Sequence, residues 1–501
     1  MVIDMKRKVL RKMLAAMLTA TMVVMNLTAC GNDTPDSGSS AESDSKPTES
    51  TGNQESTGSQ ESAGGESEEK EPKEIRTLTI WSGDAHSKNV MLELIDNFNK
   101  TQGKELGVEI EYSVKSDITK DIEAAVASKQ EPDMYKAWAS TAAKLYETGE
   151  IVSLEDIEGG PEYLATYPEG EINRVRDKTT GKVEWVPYYV NTFGVAINKD
   201  LFVKRGLVDE KGEVKAPKTY EEFRECAKAL TNTEDGEYGI VFPLGYSSFW
   251  QVLPRVAFPS TGTFGYDVKT GVYDYEKLEA VYRFALDIKH DGSIYPGADG
   301  LDNDAARALF AEGKIGMIFT GSYDTAVFTS QFPAKCDWMV IPYPTETEDA
   351  PYKQLSSSND GLVMNVEMVE KLGAETALEV YKWYHGTEVL TALYRTGCCI
   401  PWDTSIIDNT TVDSSVHSTW TQYAQLNAFS VPQPTKIPTD LEGTPDIGPI
   451  FSTKIWAEDG DLTEVLTDLS KRSNEGIEKS FAANPNLVKE RYIDKDLDID
   501  R

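Results

Sequence analysis

The chain has 501 residues and is strongly acidic, since 83 Asp and Glu against 50 Lys and Arg give a formal net charge of −33. Phosphate recognition needs clustered basic side chains, so this charge balance excludes nucleic acid as a partner. The aromatic residues (16 Phe, 9 Trp and 23 Tyr) all lie beyond residue 70, which leaves 501 − 70 = 431 residues for the folded part. A single core stops growing at about 250–300 residues, so at least two domains are expected.

Residues 1–30 have the pattern of an export signal. Basic residues between Lys6 and Lys12 precede an apolar run of about 15 residues, which is shorter than the roughly 20 residues that a membrane-spanning helix needs. The run ends in Leu27-Thr-Ala-Cys30, which resembles the bacterial lipobox. This resemblance implies that Cys30 carries a lipid and anchors the chain on the extracellular face of the cell membrane, as in a Gram-positive bacterium. An ordinary secretory leader and an uncleaved anchor are the alternatives.

Residues 31–74 are predicted to form a disordered acidic tether. Up to residue 70 the segment contains Ser, Gly, Glu, Thr, Asn and Gln but no Val, Ile, Leu, Met, Phe, Trp or Tyr. Such a composition cannot bury enough apolar surface to fold, and it behaves as a flexible coil.

The remaining sequence alternates between strand and helix patterns. Residues 75–80 predict a strand and residues 88–100 a helix with apolar residues at helical spacing. Thr219 and Glu222 form a capping box that predicts a helix start. Further strands are expected at 108–114, 190–197, 238–242 and 315–319, and further helices at 118–128, 304–311, 374–394 and 462–482. The alternation predicts two α/β lobes with mixed, mostly parallel sheets.

The sequence contains no motif for metal-dependent, nucleophilic or nucleotide chemistry. There is no His-Glu-x-x-His, no Cys-x-x-Cys, no Gly-x-Ser-x-Gly and no phosphate loop, and the four His are scattered. We therefore predict no catalytic residues, no metal and no cofactor. The many carboxylates leave a glycosidase pair open as an alternative. The redox state of the adjacent Cys398 and Cys399 is left open as well.

Five segments together resemble the family 1 extracellular solute-binding proteins, the sugar receptors of ABC importers related to maltose-binding protein. The most specific are Asn198-Lys-Asp-Leu-Phe202 and Phe310-Ala-Glu-Gly-Lys-Ile-Gly-Met317. The other three are Leu78-Thr-Ile-Trp81, Pro217-Lys-Thr-Tyr-Glu-Glu-Phe223 and the stretch from Gly386 to Pro401. The resemblance covers roughly residues 75–485. It departs from the family pattern at Gly321-Ser-Tyr323, where the family often has Gly-Pro-Trp.

This resemblance implies a type II periplasmic-binding-protein fold, in which two hinge-linked lobes close around a ligand. We expect an N-lobe of residues 75–190 and 361–400 and a C-lobe of residues 195–355 and 435–501. The implied function is that of a monomeric receptor that is not an enzyme. It would bind a carbohydrate, expected to be a neutral oligosaccharide, and deliver it to the transmembrane subunits of an ABC permease. A receptor for another small solute such as a polyamine, or a surface-anchored carbohydrate-active enzyme, is the alternative.

Candidate binding residues follow from the chemistry of sugars. A sugar offers apolar ring faces and hydroxyl groups, so its site needs aromatic faces together with polar side chains. In α/β folds such sites lie beyond the carboxyl ends of the strands. This rule and the crossings between the lobes select Trp81, Ser82, Asp84, Lys136, Trp138, Tyr188, Tyr189, Asn191, Trp250, Ser322, Tyr323, Asp360 and Trp402.

Not every aromatic side chain is expected in the cleft. We predict that Trp81, Trp138 and Tyr323 are stacking platforms, with packing in the core as the alternative for each. Trp338 lies in a predicted strand and Trp383 in the middle of a predicted helix, so both are predicted to be core residues.

Overall fold

The computed structural model describes residues 74–501 except 246–248, 250–251, 358–359, 442–446 and 459. The predicted leader with Cys30 and the tether up to residue 73 lie outside the described residues. The segment Ile75–Arg501 forms one compact unit. Within the described residues, no helix combines the length and the apolar character needed to cross a membrane.

The first four-stranded sheet has the strand order β12-β3-β1-β2. Its strands are β1 (Arg76–Ser82), β2 (Val108–Val114), β3 (Met134–Trp138) and β12 (Asp360–Met364). Strand β1 runs parallel to β2 and β3, and β12 is antiparallel to β3. Leu78 and Ile80 alternate with less buried residues along β1, as the sequence pattern predicts.

The second four-stranded sheet has the order β10-β5-β9-β6. Its strands are β5 (Phe193–Asn198), β6 (Tyr238–Ile240), β9 (Ile315–Gly321) and β10 (Trp338–Ile341). Strands β6 and β9 are parallel, but β5 is antiparallel to both β9 and β10. The expectation of mostly parallel pairing therefore holds in the first sheet and does not hold in the second.

The antiparallel strands have a common cause. Strand β5 begins where β9 ends, since Phe193 pairs with Gly321. Strand β12 likewise begins where β3 ends, since Asp360 pairs with Trp138. Each of these strands enters its sheet from a segment that arrives at the carboxyl edge, so it must run in the opposite direction to the neighbour that ends there.

The segments that arrive at this edge pair with one another. Strand β4 (Tyr189–Val190) is antiparallel to β13 (Ile400–Pro401), and β11 (Gln354–Ser356) is parallel to β14 (Ser430–Pro432). Between them, the amides and carbonyls of Asn191 and Ser357 are joined by reciprocal hydrogen bonds. A separate hairpin consists of β7 (Tyr266–Asp267) and β8 (Val272–Tyr273).

Helices cover the sheets. The capping box at Thr219 and Glu222 is present, which confirms the predicted start of the helix Tyr220–Leu230. The predicted helix pair at 374–394 is confirmed as Ala374–Tyr384 and Thr387–Arg395. The other α-helices are Lys88–Lys100, Gln102–Leu106, Ile118–Ser128, Ala139–Thr148, Gly160–Leu164, Glu169–Val175, Lys199–Lys204, Val252–Thr261, Glu279–His290, Asn303–Ala311, Asp324–Ala326, Val366–Leu372, Thr404–Asn409, Thr419–Asn427, Ile447–Ile450 and Leu462–Ala483.

The two sheets belong to separate hydrophobic cores. One core takes its buried residues from 78–188 and 362–406, and another takes them from 193–355 and 431–499. A third, smaller core contains Trp338 and Trp420. We propose the lobe bounds 75–190 with 361–400 and 195–355 with 435–501, which these core memberships support.

Candidate ligand-binding cleft

A cleft of about 250 Å³ lies at the carboxyl edge of the first sheet and reaches the end of β9 in the second. Most of the predicted site residues line it: Asp84, Lys136, Trp138, Tyr188, Tyr189, Asn191, Ser322, Tyr323 and Asp360. The structure brings these side chains together because the strands that carry them end or begin at this edge. These residues are not neighbours along the chain, since Asp84 and Asp360 are far apart in sequence.

The polar floor of the cleft is a network around Lys136 on β3. Its ammonium nitrogen lies 2.6 Å from Asp84 Oδ2 and 3.0 Å from Asp360 Oδ2, and it donates to the hydroxyl oxygen of Tyr189 over 2.8 Å. The Tyr189 hydroxyl in turn donates to Asp360 over 2.7 Å. Lys136 is only 8% exposed, so these contacts are what allows a charge to remain in a buried position.

Electrostatics keep Lys136 and Asp84 ionised. Burial by itself would lower the pKa of Lys136, but Tyr189, Asp84 and Asp360 outweigh it and raise that pKa well above its usual value. Burial would likewise raise the pKa of Asp84, but the Lys136 ammonium holds it below the usual range. At neutral pH the floor therefore contains an ammonium and an ionised Asp84.

Two of the aromatic side chains that line the cleft are exposed. Trp138, the last residue of β3, is 52% exposed, and Tyr323, just after β9, is 42% exposed. The Tyr323 ring lies over Gly321, where an added Cβ would come within 2.7 Å of the ring. The Arg307 guanidinium lies 5.7 Å from the centre of the same ring. The cleft thus offers one apolar face from each sheet.

The remaining predicted residues in the cleft are more buried. The Tyr188 ring packs at 5.5 Å from the ring of Tyr384, and burial raises the pKa of both Tyr188 and Tyr189. Ser322 donates to the side-chain oxygen of Asn191 over 3.4 Å. This contact links the end of β9 to the crossing segment that precedes β5.

Three predicted residues do not line the cleft. Trp81 lies on the face of β1 opposite to the buried Leu78 and Ile80, and the ammonium of Lys115 lies 3.8 Å from its ring centre. The buried Ser82 accepts a hydrogen bond from the amide of Asp84, so it shapes the loop.

Trp402, the third of these residues, packs on Tyr167 with ring centres 5.4 Å apart. Trp250 lies outside the described residues. Trp338, in contrast, is buried and stacks on His417, so its predicted core position is confirmed. Trp383 is only partly buried and packs on Phe98 at the edge of the core.

The cleft also contains residues that the strand-end rule does not select. They are Gly83, His86, Ser87, Ile118, Ala137, Leu393, Cys398, Cys399, Ile400 and Trp420. His86 and Ser87 extend the loop that holds Asp84, so a longer window after β1 would have found them. Leu393 and Trp420 come from helices late in the chain, and no local pattern marks them. Burial lowers the pKa of His86, which keeps its ring neutral at neutral pH.

Cys398 and Cys399 are free thiols in the wall of the cleft. Burial raises the pKa of both thiols, which makes them poor nucleophiles at neutral pH. Across the described part of the chain, no group of three or more His, Cys, Asp or Glu side chains is arranged to hold a metal ion.

Two α/β sheets joined by paired crossing segments, with a cleft at their facing edges, define a two-lobe ligand-binding protein of the type II periplasmic-binding-protein fold. Residues 93–427 match the sequence profile of a family described as bacterial extracellular solute-binding proteins. The match covers more than half of the chain, and the chain belongs to this family. No curated protein sequence matches the chain.

Solved structures share the fold. RafE from Streptococcus pneumoniae is 15% identical with a TM-score of 0.59, and the match covers 81% of this chain and 100% of RafE. The maltose/maltodextrin-binding domain MalE from Bdellovibrio bacteriovorus, bound to maltotriose, is 16% identical with a TM-score of 0.57. The match covers 81% of this chain and 100% of the MalE chain. The ABC substrate-binding protein Lmo0181 from Listeria monocytogenes, in complex with cycloalternan, is 17% identical with a TM-score of 0.56. The match covers 82% of this chain and 100% of the Lmo0181 chain.

Proposed function

We propose that this protein is a membrane-anchored extracellular receptor that captures a neutral oligosaccharide in the cleft and delivers it to an ABC importer. The observation that carries the proposal is that two exposed aromatic faces, Trp138 and Tyr323, line the same cleft as the Lys136 network. Aromatic faces stack on the apolar faces of sugar rings, and the carboxylate and hydroxyl oxygens accept hydrogen bonds from sugar hydroxyls. Two of the similar structures hold carbohydrates, which supports the same ligand class.

The two aromatic faces come from different sheets, and this supports a closing motion. A ligand that touches both Trp138 and Tyr323 has more contacts when the lobes are closed, so it shifts the equilibrium towards the closed state. An ABC permease can then distinguish the loaded receptor from the empty one by its shape. We propose that the receptor acts as a monomer.

Binding without turnover is the activity we propose. A glycosidase needs a carboxylic acid whose pKa is raised so that it can protonate the leaving group. In this cleft the pKa of Asp84 is lowered by its contact with Lys136, so Asp84 stays ionised and is a poor general acid.

Cation capture is also less favoured than sugar capture. Both oxygens of Asp84 already accept from Lys136, and both oxygens of Asp360 accept from Tyr189. A polyamine would have to compete with the lysine ammonium that already occupies this position. A sugar hydroxyl needs only one remaining lone pair on a carboxylate oxygen.

The test is a titration of the full chain with maltotriose, cellotriose, mannotriose, raffinose and spermidine, followed by melting temperature and tryptophan fluorescence. A ligand at 100 times its dissociation constant stabilises the folded state by about 2.7 kcal/mol. Saturable binding of a sugar that is recovered intact supports the proposal. Binding of spermidine but of none of the sugars would show that the ligand is a cation. Cleavage of the sugar would show that the protein is an enzyme.

The lipid anchor is tested separately. We expect the wild type to partition into the detergent phase and a Cys30→Ala variant to appear in the aqueous phase or the medium. A wild type that is found only in the medium would contradict the anchor and leave the ligand proposal intact.

A further inference from the structure

The ammonium group of Lys136 has no hydrogen left for a ligand. A lysine ammonium carries three N–H donors. Its nitrogen lies 2.6 and 2.8 Å from the two oxygens of Asp84, 2.8 Å from the hydroxyl of Tyr189 and 3.0 Å from Asp360 Oδ2. Protein acceptors therefore use all of its donor capacity. The only ammonium or guanidinium group among the described residues that line the cleft is this one.

The charge around Lys136 does not favour an anion. One ammonium faces two carboxylates, Asp84 and Asp360, so the cluster carries a formal charge of 1 − 2 = −1. His86 adds no positive charge, because burial lowers its pKa. Arg307, behind Tyr323, is paired with Asp304 and Asp324 at 2.9 and 2.6 Å. A ligand in the cleft thus meets carboxylate oxygens without a free cation.

We propose that the cluster of Asp84, Lys136 and Asp360 is a selectivity element that admits uncharged sugars and rejects sugar acids. The inference rests on the proposed function and names the discriminating residues. A hydroxyl donates to a carboxylate oxygen at no electrostatic penalty, whereas a uronate carboxylate at the same place meets like charges and loses its hydration. Selectivity of this kind works by repulsion of the wrong ligand as well as by attraction of the right one.

Removal of the two acidic partners should weaken the preference for the neutral sugar. In an Asp84→Asn/Asp360→Asn variant the cluster changes from −1 to +1, and the asparagine at position 84 offers one acceptor oxygen where Asp84 offers two, so one N–H of the Lys136 ammonium becomes free. A sugar carboxylate can then pair with it. The variant should lose some affinity for the neutral sugar, because amide oxygens are weaker acceptors, and it should gain affinity for the acid.

The experiment is isothermal titration calorimetry with a matched ligand pair and the full chain. The neutral ligand is whichever of maltotriose, cellotriose, mannotriose or raffinose binds the wild type, and the acidic ligand is the same sugar oxidised at a C6 alcohol to the carboxylate. We expect the wild type to prefer the neutral sugar by about 100-fold or more, and the double variant to reduce this ratio to below about 10-fold.

Two further variants distinguish an effect of this cluster from an effect of the protein's overall charge. Asp96→Asn/Asp468→Asn removes the same net charge from two exposed helix pairs, and it should keep the wild-type ratio. Adding Lys136→Met to the Asn pair should abolish the gained affinity for the acid. The single Asp84→Asn variant, on a loop, should give an intermediate ratio and serves as a second measurement if the double variant melts early.

The outcomes are distinct. A wild type that binds both ligands equally, or folded variants that keep the wild-type ratio, would overturn the selectivity role and leave the receptor proposal standing. A shift in the ratio with the Asp96→Asn/Asp468→Asn control would overturn it too, because the effect would come from overall charge. A wild type that binds none of the neutral sugars refutes the proposed function itself.

Discussion

Replacement of Glu184 by Gln should stabilise the protein at neutral and alkaline pH and have no effect in acid. Glu184 lies next to Trp185 and is 1% exposed. Thr180 donates to its Oε1 over 2.9 Å, while its Oε2 has no hydrogen-bond partner. Burial raises the pKa of this carboxyl to about 7, and the nearby Asp177 adds to the effect.

The sign of the effect follows from proton linkage. The folded state holds the Glu184 proton more tightly than the unfolded chain, whose reference pKa is 4.5. The stability that this proton contributes is present below pH 4.5 and is lost as the pH rises through about 7. A shift of about 2.5 units at 1.36 kcal/mol per unit corresponds to a loss of about 3 kcal/mol. Gln keeps the acceptor for Thr180 and cannot ionise, so the variant avoids this loss.

The assay is urea unfolding of the wild type and of Glu184→Gln at intervals from pH 4 to pH 8.5. The difference in the free energy of unfolding should be near zero at pH 4 and approach about 3 kcal/mol above pH 7.5. Glu158→Gln, at an exposed position, controls for the loss of a negative charge and should follow the wild-type curve. Parallel curves for Glu184→Gln and the wild type over the whole range would refute a raised pKa at this position.

Three other substitutions test the roles assigned above. Trp138→Ala should weaken binding of the neutral sugar by about 10- to 100-fold but change stability little, since the side chain is half exposed; unchanged affinity in calorimetry would remove Trp138 from the site. Trp383→Ala should lower the free energy of unfolding by about 1–3 kcal/mol and keep the affinity, because the partly buried ring packs against the core; a loss of affinity without a loss of stability would contradict this assignment. Gly361→Ala should destabilise by about 1–3 kcal/mol in a thermal melt, because a Cβ there would lie 2.3 Å from the Trp185 ring. Gly170→Ala, with open space around it, is its control, and equal melting temperatures for the two variants would refute the argument.

The sequence predicts the elements well because their patterns are local. Alternation along β1 and β2 and helical spacing over 88–100 each depend on neighbouring residues, and the structure contains these elements close to the expected bounds. The direction of β5 is not local. It depends on where the preceding segment arrives, and a strand pattern looks the same in either direction.

The site residues that can be predicted from the sequence are those that lie at or just after the end of a strand. Asp84, Trp138 and Tyr323 each come just after or at the end of a strand, and all three line the cleft. Trp81 does not line the cleft, because it lies within β1, one residue before the strand ends. Side chains alternate between the two faces of a strand, so its position in β1 decides which face it is on. Leu393 and Trp420 reach the cleft through packing between distant helices, which no short motif encodes.

The antiparallel strand β12 also bears on how the chain acquires its structure. Asp360 pairs with Trp138, so the strand that completes the first sheet lies 360 − 138 = 222 residues after its neighbour. Contacts of such long sequence separation form late, because the intervening chain must first be brought together. During synthesis, the first sheet lacks an edge strand until residue 360 of 501 is available. With this topology, the first sheet cannot be completed until most of the chain has been made.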